Sequence, residues 1–251
     1  MNRDYKQIDD NIVAGRNAVN ELLRSGREID RIVIEKGKRE SSLSVIIAKA
    51  SERGIPIKEV AREKLNAMCP QTNHQGVVAV ASQVEYCSVE DILEVAKQKG
   101  EEPFIVICDE IEDPHNLGAI IRTAECCGVH GVIIPKRRSC GINFAVSKAA
   151  CGALEYMKIA RVTNLASTID ELKQNGVWIY AADMGGVDCQ KQDFSGPAAL
   201  VVGSEGKGVG RLIKDKCDVI VSLKMCGNIT SLNASVAAGV LMYRMLYNRS
   251  K

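Results

Sequence analysis

The chain is poor in several features by which classes of protein are recognised. Aromatic residues make up only 4% of its 251 residues, so a stacking platform of the single-strand-binding type is not expected to dominate. No segment approaches the roughly 18 uninterrupted apolar residues of a membrane span. The first residues, Met1–Lys6, lack the apolar stretch of a signal peptide. These absences predict a cytoplasmic protein.

Neither sign of charge is in clear excess, because the formal net charge is only +2. A dedicated nucleic-acid-binding protein is often far more basic, so any RNA-binding surface must be local. The length allows one large domain or two modest ones, with a sizeable core.

The ten cysteines follow no metal-binding pattern, since no C-x-x-C pair or Cys/His cluster with zinc spacing occurs. Cys126 and Cys127 are adjacent in an apolar helical pattern. Neighbours on a helix diverge by roughly 100° and could not share a metal there. We interpret the cysteines as buried small hydrophobic residues in a reducing cell, and we predict no metal site.

Two domains are predicted after an N-terminal tail of residues 1–10. Residues 11–82 indicate a small α/β unit, because segments of helical spacing alternate with short β-branched strands. The helical segments are 15–23 and 43–53, and the strands are 29–35, 55–60 and 76–81. Residues 83–102 form a linker with an acidic helical stretch, 89–99.

Residues 103–251 form the second predicted domain, which contains apolar runs of strand length. The runs are 104–108, 131–134, 177–181, 198–202 and 219–223. Strands that are apolar on both faces and alternate with helical segments predict a parallel sheet covered by helices on both sides. The ligand of such a sheet is expected at the carboxyl ends of its strands.

The first unusual strand-end loop is Asp113–Ala124, in which a helix is predicted to begin near Asn116. Asn116 either caps this helix or belongs to a site. Arg122 can face the strand-end crevice, where its planar donor fork suits phosphate. The alternative is an ordinary surface arginine.

The second loop is the glycine-rich segment Gly203–Gly210. It is too short for a G-x-x-x-x-G-K-[ST] loop, and the dinucleotide fingerprint and its acidic partner are absent. A nucleoside triphosphatase and an NAD-dependent oxidoreductase are therefore disfavoured. Glycines this dense let a ligand approach the backbone closely, so Glu205 is expected to serve a ligand more than packing.

The third loop runs from Ser222 through a polar segment into a helix of small residues. Ser231 and Asn233 stand at the start of that helix, where helix capping is the alternative to a functional role. The stretch Ala237–Gly239 allows close approach of another backbone, within the domain or from a partner chain.

In order, N-x-G-x-x-x-R-T-A, G-S-E-G-x-G and S-L-N-x-S-V-A-A-G resemble the three motifs of the SpoU (TrmH) family of SPOUT RNA 2′-O-ribose methyltransferases. The segments Ala14–Val19 and His74–Ala79 resemble the small substrate-binding domain that precedes the catalytic domain in the 23S rRNA guanosine methyltransferases. The resemblance thus covers nearly the whole chain.

This resemblance implies an α/β fold whose C-terminal domain is a deep trefoil knot, preceded by a domain of the ribosomal protein L30e type. It implies S-adenosylmethionine (SAM) as methyl donor, RNA as substrate, and a homodimer with each site built across the interface. Catalytic positions carried over are Asn116, Arg122, Glu205, Ser231 and Asn233. Cofactor-binding positions are Gly203, Gly208, Leu223, Met225 and Leu232. RNA-binding positions are Arg16, His115, Arg122, Lys136 and Arg137.

The reaction implied by the resemblance is attack of a ribose 2′-hydroxyl on the sulfonium methyl group. A guanidinium stays protonated, so we expect Arg122 to fix a phosphate that accepts the proton, and to offset developing charge. Glu205 and Asn116 would orient Arg122 or the nucleotide. Ser231 and Asn233 would hold the helix start, the ribose or both.

The chain departs from the family pattern at Leu223-Lys224-Met225, where Ile-Pro-Met is usual. A proline presets the backbone, so Lys224 predicts looser SAM binding with activity retained.

The resemblance leaves two other functions open: a SpoU-type tRNA methyltransferase and a non-catalytic RNA-binding assembly factor. The separate N-terminal domain favours rRNA over tRNA. Lys136–Arg138 and His115 either contact RNA or are ordinary solvated loop residues.

Overall fold

The computed structural model describes residues 11–37, 41–70, 72–82 and 84–249; the predicted tail, residues 1–10, lies outside them. The elements in chain order are β1 (Ile12–Ala14), α1 (Arg16–Ser25), β2 (Ile29–Glu35), α2 (Ser41–Glu52), β3 (Ile57–Val60), α3 (Arg62–Met68), β4 (Val77–Ala81), α4 (Val89–Lys99), β5 (Phe104–Cys108), α5 (Pro114–Cys126), β6 (Gly131–Pro135), α6 (Phe144–Ala150), β7 (Lys158–Val162), α7 (Leu165–Gln174), β8 (Trp178–Asp188), β9 (Ala198–Val202), α8 (Arg211–Lys216), β10 (Val219–Ser222) and α9 (Ala234–Arg249).

The described residues form two compact units, of which the first contains those up to residue 84 together with residues 142–156. Its sheet has the order β1-β4-β2-β3, with β2 and β3 parallel and the other pairs antiparallel. Leu22 of α1 and Ile46 of α2 belong to one core cluster, which includes Ile32 of the sheet. Leu65 of α3 and Phe144 of α6 belong to another. The sheet therefore has a packed cluster on each face.

Residues 142–156 pack into this first unit although they lie far along the chain. The Lys148 ammonium donates to the carbonyls of Ala14 at 2.9 Å and Asn73 at 2.8 Å. Glu155 forms a buried ion pair with Arg27 at 2.8 Å. The predicted domain boundaries, 11–82 and 103–251 around a linker, remain predictions. The structure shows in addition that residues 142–156 pack with the first unit.

The second unit contains residues 85–141 and the described residues from 157 onward. Its sheet has the order β10-β8-β9-β5-β6-β7, and every adjacent pair is parallel. Ile105 and Ile107 face a cluster formed with α4, α7 and α8, while the alternate residues of β5 are buried on the other face. There α5 lies against β6, and α9 against β8 and β9. The predicted parallel sheet covered by helices is confirmed.

One strand of this sheet was not predicted. Strand β7 lies at the sheet edge beside β6, and its Lys158 and Arg161 are exposed. These charges interrupt the apolar run that marked the five other strands. Within the part of the chain that is described, no helix is both long and apolar enough to cross a bilayer.

Candidate active site

The loop after β5 places Asn116 inside the fold. Helix α5 begins at Pro114, two residues before the predicted start, and the Asp113 carboxylate caps it by accepting from the backbone N–H of His115 at 2.8 Å. Proline suits the first helical position because its missing N–H is not needed there. The capping interpretation of Asn116 is therefore wrong. Its side chain is free for another role and is only 7% exposed.

Asn116, Glu205 and Asn233 form one hydrogen-bonded network across three strand-end loops. Glu205 Oε1 accepts from Asn116 Nδ2 at 3.1 Å and also from Asn233 Nδ2. Asn233 Nδ2 donates in addition to Asn116 Oδ1 at 2.9 Å, and the Ala234 backbone N–H points at Glu205 Oε1 at 3.4 Å. The three predicted residues thus meet at the carboxyl ends of the parallel strands.

Asn233 is a helix cap and a member of the network at the same time. Its Oδ1 accepts from the Ser235 N–H at 3.0 Å, the Ser235 hydroxyl at 2.6 Å and the Val236 N–H at 3.3 Å. The side-chain oxygen therefore holds the start of α9, while the side-chain nitrogen faces Glu205 and Asn116. The capping interpretation of Asn233 is therefore confirmed, and a functional role stays a prediction.

The glycine-rich loop folds back on itself beside the network. A Cβ at Gly203 would lie 2.0 Å from the carbonyl carbon of Gly208, so a side chain has no room there. The Gly208 N–H donates to the Ser204 carbonyl at 3.0 Å, and Gly208 has a φ of 66°, which favours glycine. The glycines thus permit a closed turn that exposes backbone to a ligand.

Two carboxylates that sequence reasoning missed brace this loop. Asp109, directly after β5, accepts from the Gly210 N–H at 2.8 Å, and burial raises the pKa of its carboxyl group. Asp183 pairs with Lys214 of α8 and lies against Gly208. Both residues could have been identified from the sequence by their position, because each acidic residue stands at or near the end of an apolar run.

A cavity of about 270 Å³ adjoins the network; we call it the cofactor cavity. All five predicted cofactor-binding residues line it, and so do Ser231 and Glu205. Asp183 and Leu241 also line it and were not predicted. The walls combine apolar side chains with loop backbone, which suits a flat heterocycle held by backbone groups.

Arg122 lies on a different side of α5 from Asn116. The two residues are six positions apart, which places them about 120° apart around the helix. Asn116 is buried and Arg122 is exposed. That Arg122 faces the crevice at the strand ends stays a prediction.

The predicted RNA-binding residues are spread over both units. His115, Lys136 and Arg137 are exposed, and the last two follow β6 at the same sheet edge as the network. Arg16 lies in the first unit, where its Nε donates to the Gln75 carbonyl at 3.0 Å and its Nη1 to Ser42 Oγ at 2.8 Å. Arg16 therefore connects α1 to the loop at Gln75 and to the start of α2.

All ten cysteines are free thiols. Burial raises the pKa of Cys108 to about 12, so this thiol is not a nucleophile at neutral pH. Cys126 and Cys226 are exposed, which corrects the interpretation that the cysteines are buried. Among the described residues, no group of His, Cys, Asp and Glu side chains could hold a metal ion.

Two family profiles match the chain. Residues 103–243 match the SpoU rRNA Methylase family, and residues 12–87 match RNA 2′-O ribose methyltransferase substrate binding. Together they match most of the chain. The first match includes the entire Asn116–Glu205–Asn233 network.

Known proteins resemble the chain over nearly its full length. A Bacillus subtilis protein named as a TrmH family tRNA/rRNA methyltransferase, YacO, is 46% identical over 95% of this chain and 96% of its own. An AdoMet-bound rRNA methyltransferase from Sinorhizobium meliloti is 25% identical, with a TM-score of 0.75 over 93% of this chain and 85% of its own.

Two further solved structures bear on the fold and on its extent. The SpoU methyltransferase AviRb from Streptomyces viridochromogenes, solved with AdoMet, shares the fold with a TM-score of 0.78 at 21% identity, over 95% of this chain and 90% of its own. The A. aeolicus TrmH/SpoU tRNA modifying enzyme is 29% identical and covers 60% of this chain and 77% of its own, with a TM-score of 0.54. The profiles and the full-length relatives together show that the chain belongs to the SpoU/TrmH family and is a methyltransferase of that family.

Proposed function

We propose that this chain transfers a methyl group from SAM to the ribose 2′-hydroxyl of a guanosine in 23S rRNA, in the cytoplasm. The observation that carries the proposal is the network of Asn116, Glu205 and Asn233 beside the cofactor cavity. It joins the three strand-end loops at the edge where parallel sheets bind ligands.

The cofactor cavity fits SAM. Leu223, Leu232 and Leu241 supply apolar wall for the adenine, while the closed turn at Gly203 presents backbone. Glu205 also lines the cavity, and its carboxylate matches the positive charge of a sulfonium; Asp183 lines the cavity while it is paired with Lys214. When bound, SAM supplies an activated methyl group, so the protein needs only to position the ribose and handle its proton.

Glu205 and the two asparagines would act as a positioning device for the nucleotide. Glu205 Oε1 receives the donors of the network, which leaves Oε2 to orient the ribose 2′-hydroxyl. Because the network is tied to the α9 cap, it holds this carboxylate in one place before substrate arrives. Ser231, on the same loop, would contact the ribose or the helix start.

Arg122 would bind the phosphate next to the target ribose and offset charge that develops during transfer. Its guanidinium stays protonated in proteins and cannot act as a base. The phosphate oxygen is therefore the proton acceptor in this proposal, and Arg122 keeps that oxygen in reach of the 2′-hydroxyl.

We also propose that the protein is a homodimer in which Arg122 serves the partner's site. Large apolar residues of α9 stay exposed on one chain at positions i, i+4, i+7 and i+11: Val236 is 51%, Val240 47%, Tyr243 41% and Tyr247 68% exposed. Arg122 and Cys126 lie one turn apart on the exposed side of α5, and α9 packs against α5 where Gly239 meets Thr123. A second copy would bury this stripe and accept Arg122.

The first unit would bind the RNA, with Arg16 fixing its 73–76 loop. Lys136 and Arg137 would add local positive charge near the site, and His115 would contact the RNA there. The share of this chain that each known structure covers supports rRNA over tRNA as the substrate. The rRNA methyltransferase from S. meliloti covers 93% of this chain, whereas the tRNA modifying enzyme covers 60%. Two features of the family remain proposals for this fold: a deep trefoil knot in the C-terminal domain, and an L30e-like first unit.

Tritium transfer from labelled SAM tests the proposal, with unmethylated 23S rRNA and bulk tRNA as separate substrates. We expect label in 23S rRNA, lost by at least about 100-fold in Arg122→Ala, while SAM affinity is unchanged. Label only in tRNA would keep the chemistry and overturn the rRNA substrate. Label in neither, with no heat on titrating SAM, would favour a non-catalytic RNA-binding factor.

A further inference from the structure

A second cavity, of about 240 Å³, opens beside the cofactor cavity; we call it the side cavity. Ser204, Glu205 and Lys207 line both cavities, so the two share a wall. Asn116 lines the side cavity as well. A nucleotide whose ribose lies at the Asn116–Glu205 network would therefore have its base within reach of this cavity.

The loop between β5 and α5 supplies the other wall with three acidic side chains, of which two are already engaged. Glu110 pairs with Arg138 at 3.2 Å, and Asp113 caps α5. Glu112 lines the cavity, is exposed, and forms no hydrogen bond or ion pair with any residue that the structure describes. Its two carboxylate oxygens are thus available to a ligand.

We propose that Glu112 determines the base specificity of the enzyme by reading the Watson–Crick edge of the target guanine. This inference rests on the proposed 2′-O-methylation. Guanine presents two adjacent donors on that edge, N1–H and N2–H, and an ionised carboxylate offers two acceptors and no donor. A flipped or single-stranded base is read in this way by hydrogen bonds to its Watson–Crick edge.

The other bases match this carboxylate less well. Adenine places the N1 lone pair, and cytosine the N3 lone pair, where guanine has the N1–H donor, so each would face a carboxylate oxygen with like charge. Uracil has one donor between two carbonyl oxygens. Lys207 also lines the side cavity, and its ammonium can donate to guanine O6, a group that adenine lacks.

The first step of the test identifies the methylated nucleoside. Wild-type protein is incubated with SAM and unmethylated 23S rRNA, and the RNA is digested to nucleosides for mass spectrometry. We expect 2′-O-methylguanosine. Another 2′-O-methylnucleoside would overturn the role of Glu112 and leave the methyltransferase intact, whereas no methyl transfer would overturn the proposed function and this inference together.

The second step compares short RNAs that carry guanine, inosine or adenine at the methylated position. Because inosine lacks the N2 amino group, we expect kcat/KM to fall about tenfold or more from guanine to inosine, and further to adenine. In Glu112→Gln, the amide offers one donor and one acceptor, which complement adenine. Its guanine-to-adenine preference should fall by at least about tenfold.

The matched control is Glu110→Gln, which removes a carboxylate from the same cavity, but one that Arg138 already occupies. It should keep the wild-type guanine-to-adenine preference. SAM affinity and melting temperature are measured for both variants, to separate base reading from damage to the fold. A preference that is unchanged in Glu112→Gln, or that falls equally in Glu110→Gln, would overturn the inference.

Discussion

Asn233 Nδ2 donates a hydrogen bond to Asn116 Oδ1 at 2.9 Å, although 117 positions separate the two residues in the chain. The bond ties the start of α9 to the first turn of α5, with the Glu205 carboxylate between them. The hydrogen bonds of the Asn116 and Asn233 side-chain amides fix the orientation of each amide. The loops that carry these residues therefore hold one another in place. The network is therefore preformed in a single chain.

The two roles of Asn233 can be separated by one substitution. Asn233→Asp keeps an acceptor for the Ser235 and Val236 N–H groups but replaces the donors that face Asn116 and Glu205 with negative charge. Methyl transfer should fall by at least about 100-fold, while the melting temperature changes by only a few degrees because aspartate is a good cap. Single-turnover assays and thermal melts measure the two effects.

The control for this substitution is Asn164→Asp, because Asn164 caps α7 in the same way and lies outside the network. It should leave methyl transfer unchanged. Equal losses of activity in both variants would mean that the helix caps, and not the network, matter for catalysis.

Mixing two inactive variants tests whether Arg122 acts across a dimer. Arg122→Ala removes the phosphate-binding group, and Glu205→Ala removes the network carboxylate. If the two residues of one site come from different chains, random exchange should restore about a quarter of the wild-type activity. Activity is measured after the two preparations have been mixed and allowed to exchange subunits. A mixture as inactive as its components would show that both residues serve one chain's own site.

The ion pair between Arg27 and Glu155 should stabilise the first unit only while both partners remain. Arg27 and Glu155 are 15% and 4% exposed in their side chains. Glu155→Leu leaves the guanidinium buried without its partner and should lower the free energy of unfolding by about 3–5 kcal/mol. The double variant Arg27→Met, Glu155→Leu should recover most of that loss in urea titrations. No recovery would mean that packing of residues 142–156, and not charge, makes the contribution.

Buried His130 predicts a loss of stability in mild acid. Its Nδ1 accepts from the Phe104 N–H at 3.0 Å, its Nε2–H donates to Glu101, and burial lowers the pKa of its imidazole. The folded state therefore binds a proton less readily than the unfolded state. The free energy of unfolding is expected to be highest above about pH 6.5 and to fall as the pH drops below that value. Urea titrations from pH 8 to pH 5 measure this slope, which should be shallower in His130→Gln; an equal slope would assign it to other groups.

Lys224 occupies the position where the family usually has proline, and it is exposed next to two residues of the cofactor cavity. Lys224→Pro should fix the backbone before binding and tighten SAM binding by about two- to fivefold. Calorimetric titration of SAM measures the change. Weaker binding would mean that the lysine holds a backbone conformation that proline cannot adopt.

The sequence predicted elements best where an apolar run has sharp ends. Strand β5 was predicted at 104–108 and lies there, because Pro103 and Asp109 bound a run that is buried on both faces. Helix α4 was likewise predicted at 89–99, where Ser88 caps its start and Gly100 its end. Strand β7 was not predicted, because this edge strand carries charged residues among its apolar ones.

The sequence could not predict which surfaces pack together. Helix α6 packs on the sheet of the first unit through Phe144. The apolar residues of α6 indicate that one side of the helix is buried, but they do not say against which sheet. Similarly, helix spacing predicted that Arg122 lies partly around α5 from Asn116, but it could not say what Arg122 contacts. The start of α5 was predictable in principle, because Asp113-Pro114 is a strong helix-start signal.

The most direct test of the account is the position of the methyl group in the RNA. Alkali cleaves RNA through the 2′-hydroxyl, so a 2′-O-methyl group protects the adjacent phosphodiester. RNA labelled by the wild-type protein from tritiated SAM should give labelled, alkali-resistant dinucleotides, and Glu205→Ala should give almost none. Label in mononucleotides would place the methyl group on a base and contradict the assignment of this site to ribose 2′-O-methylation.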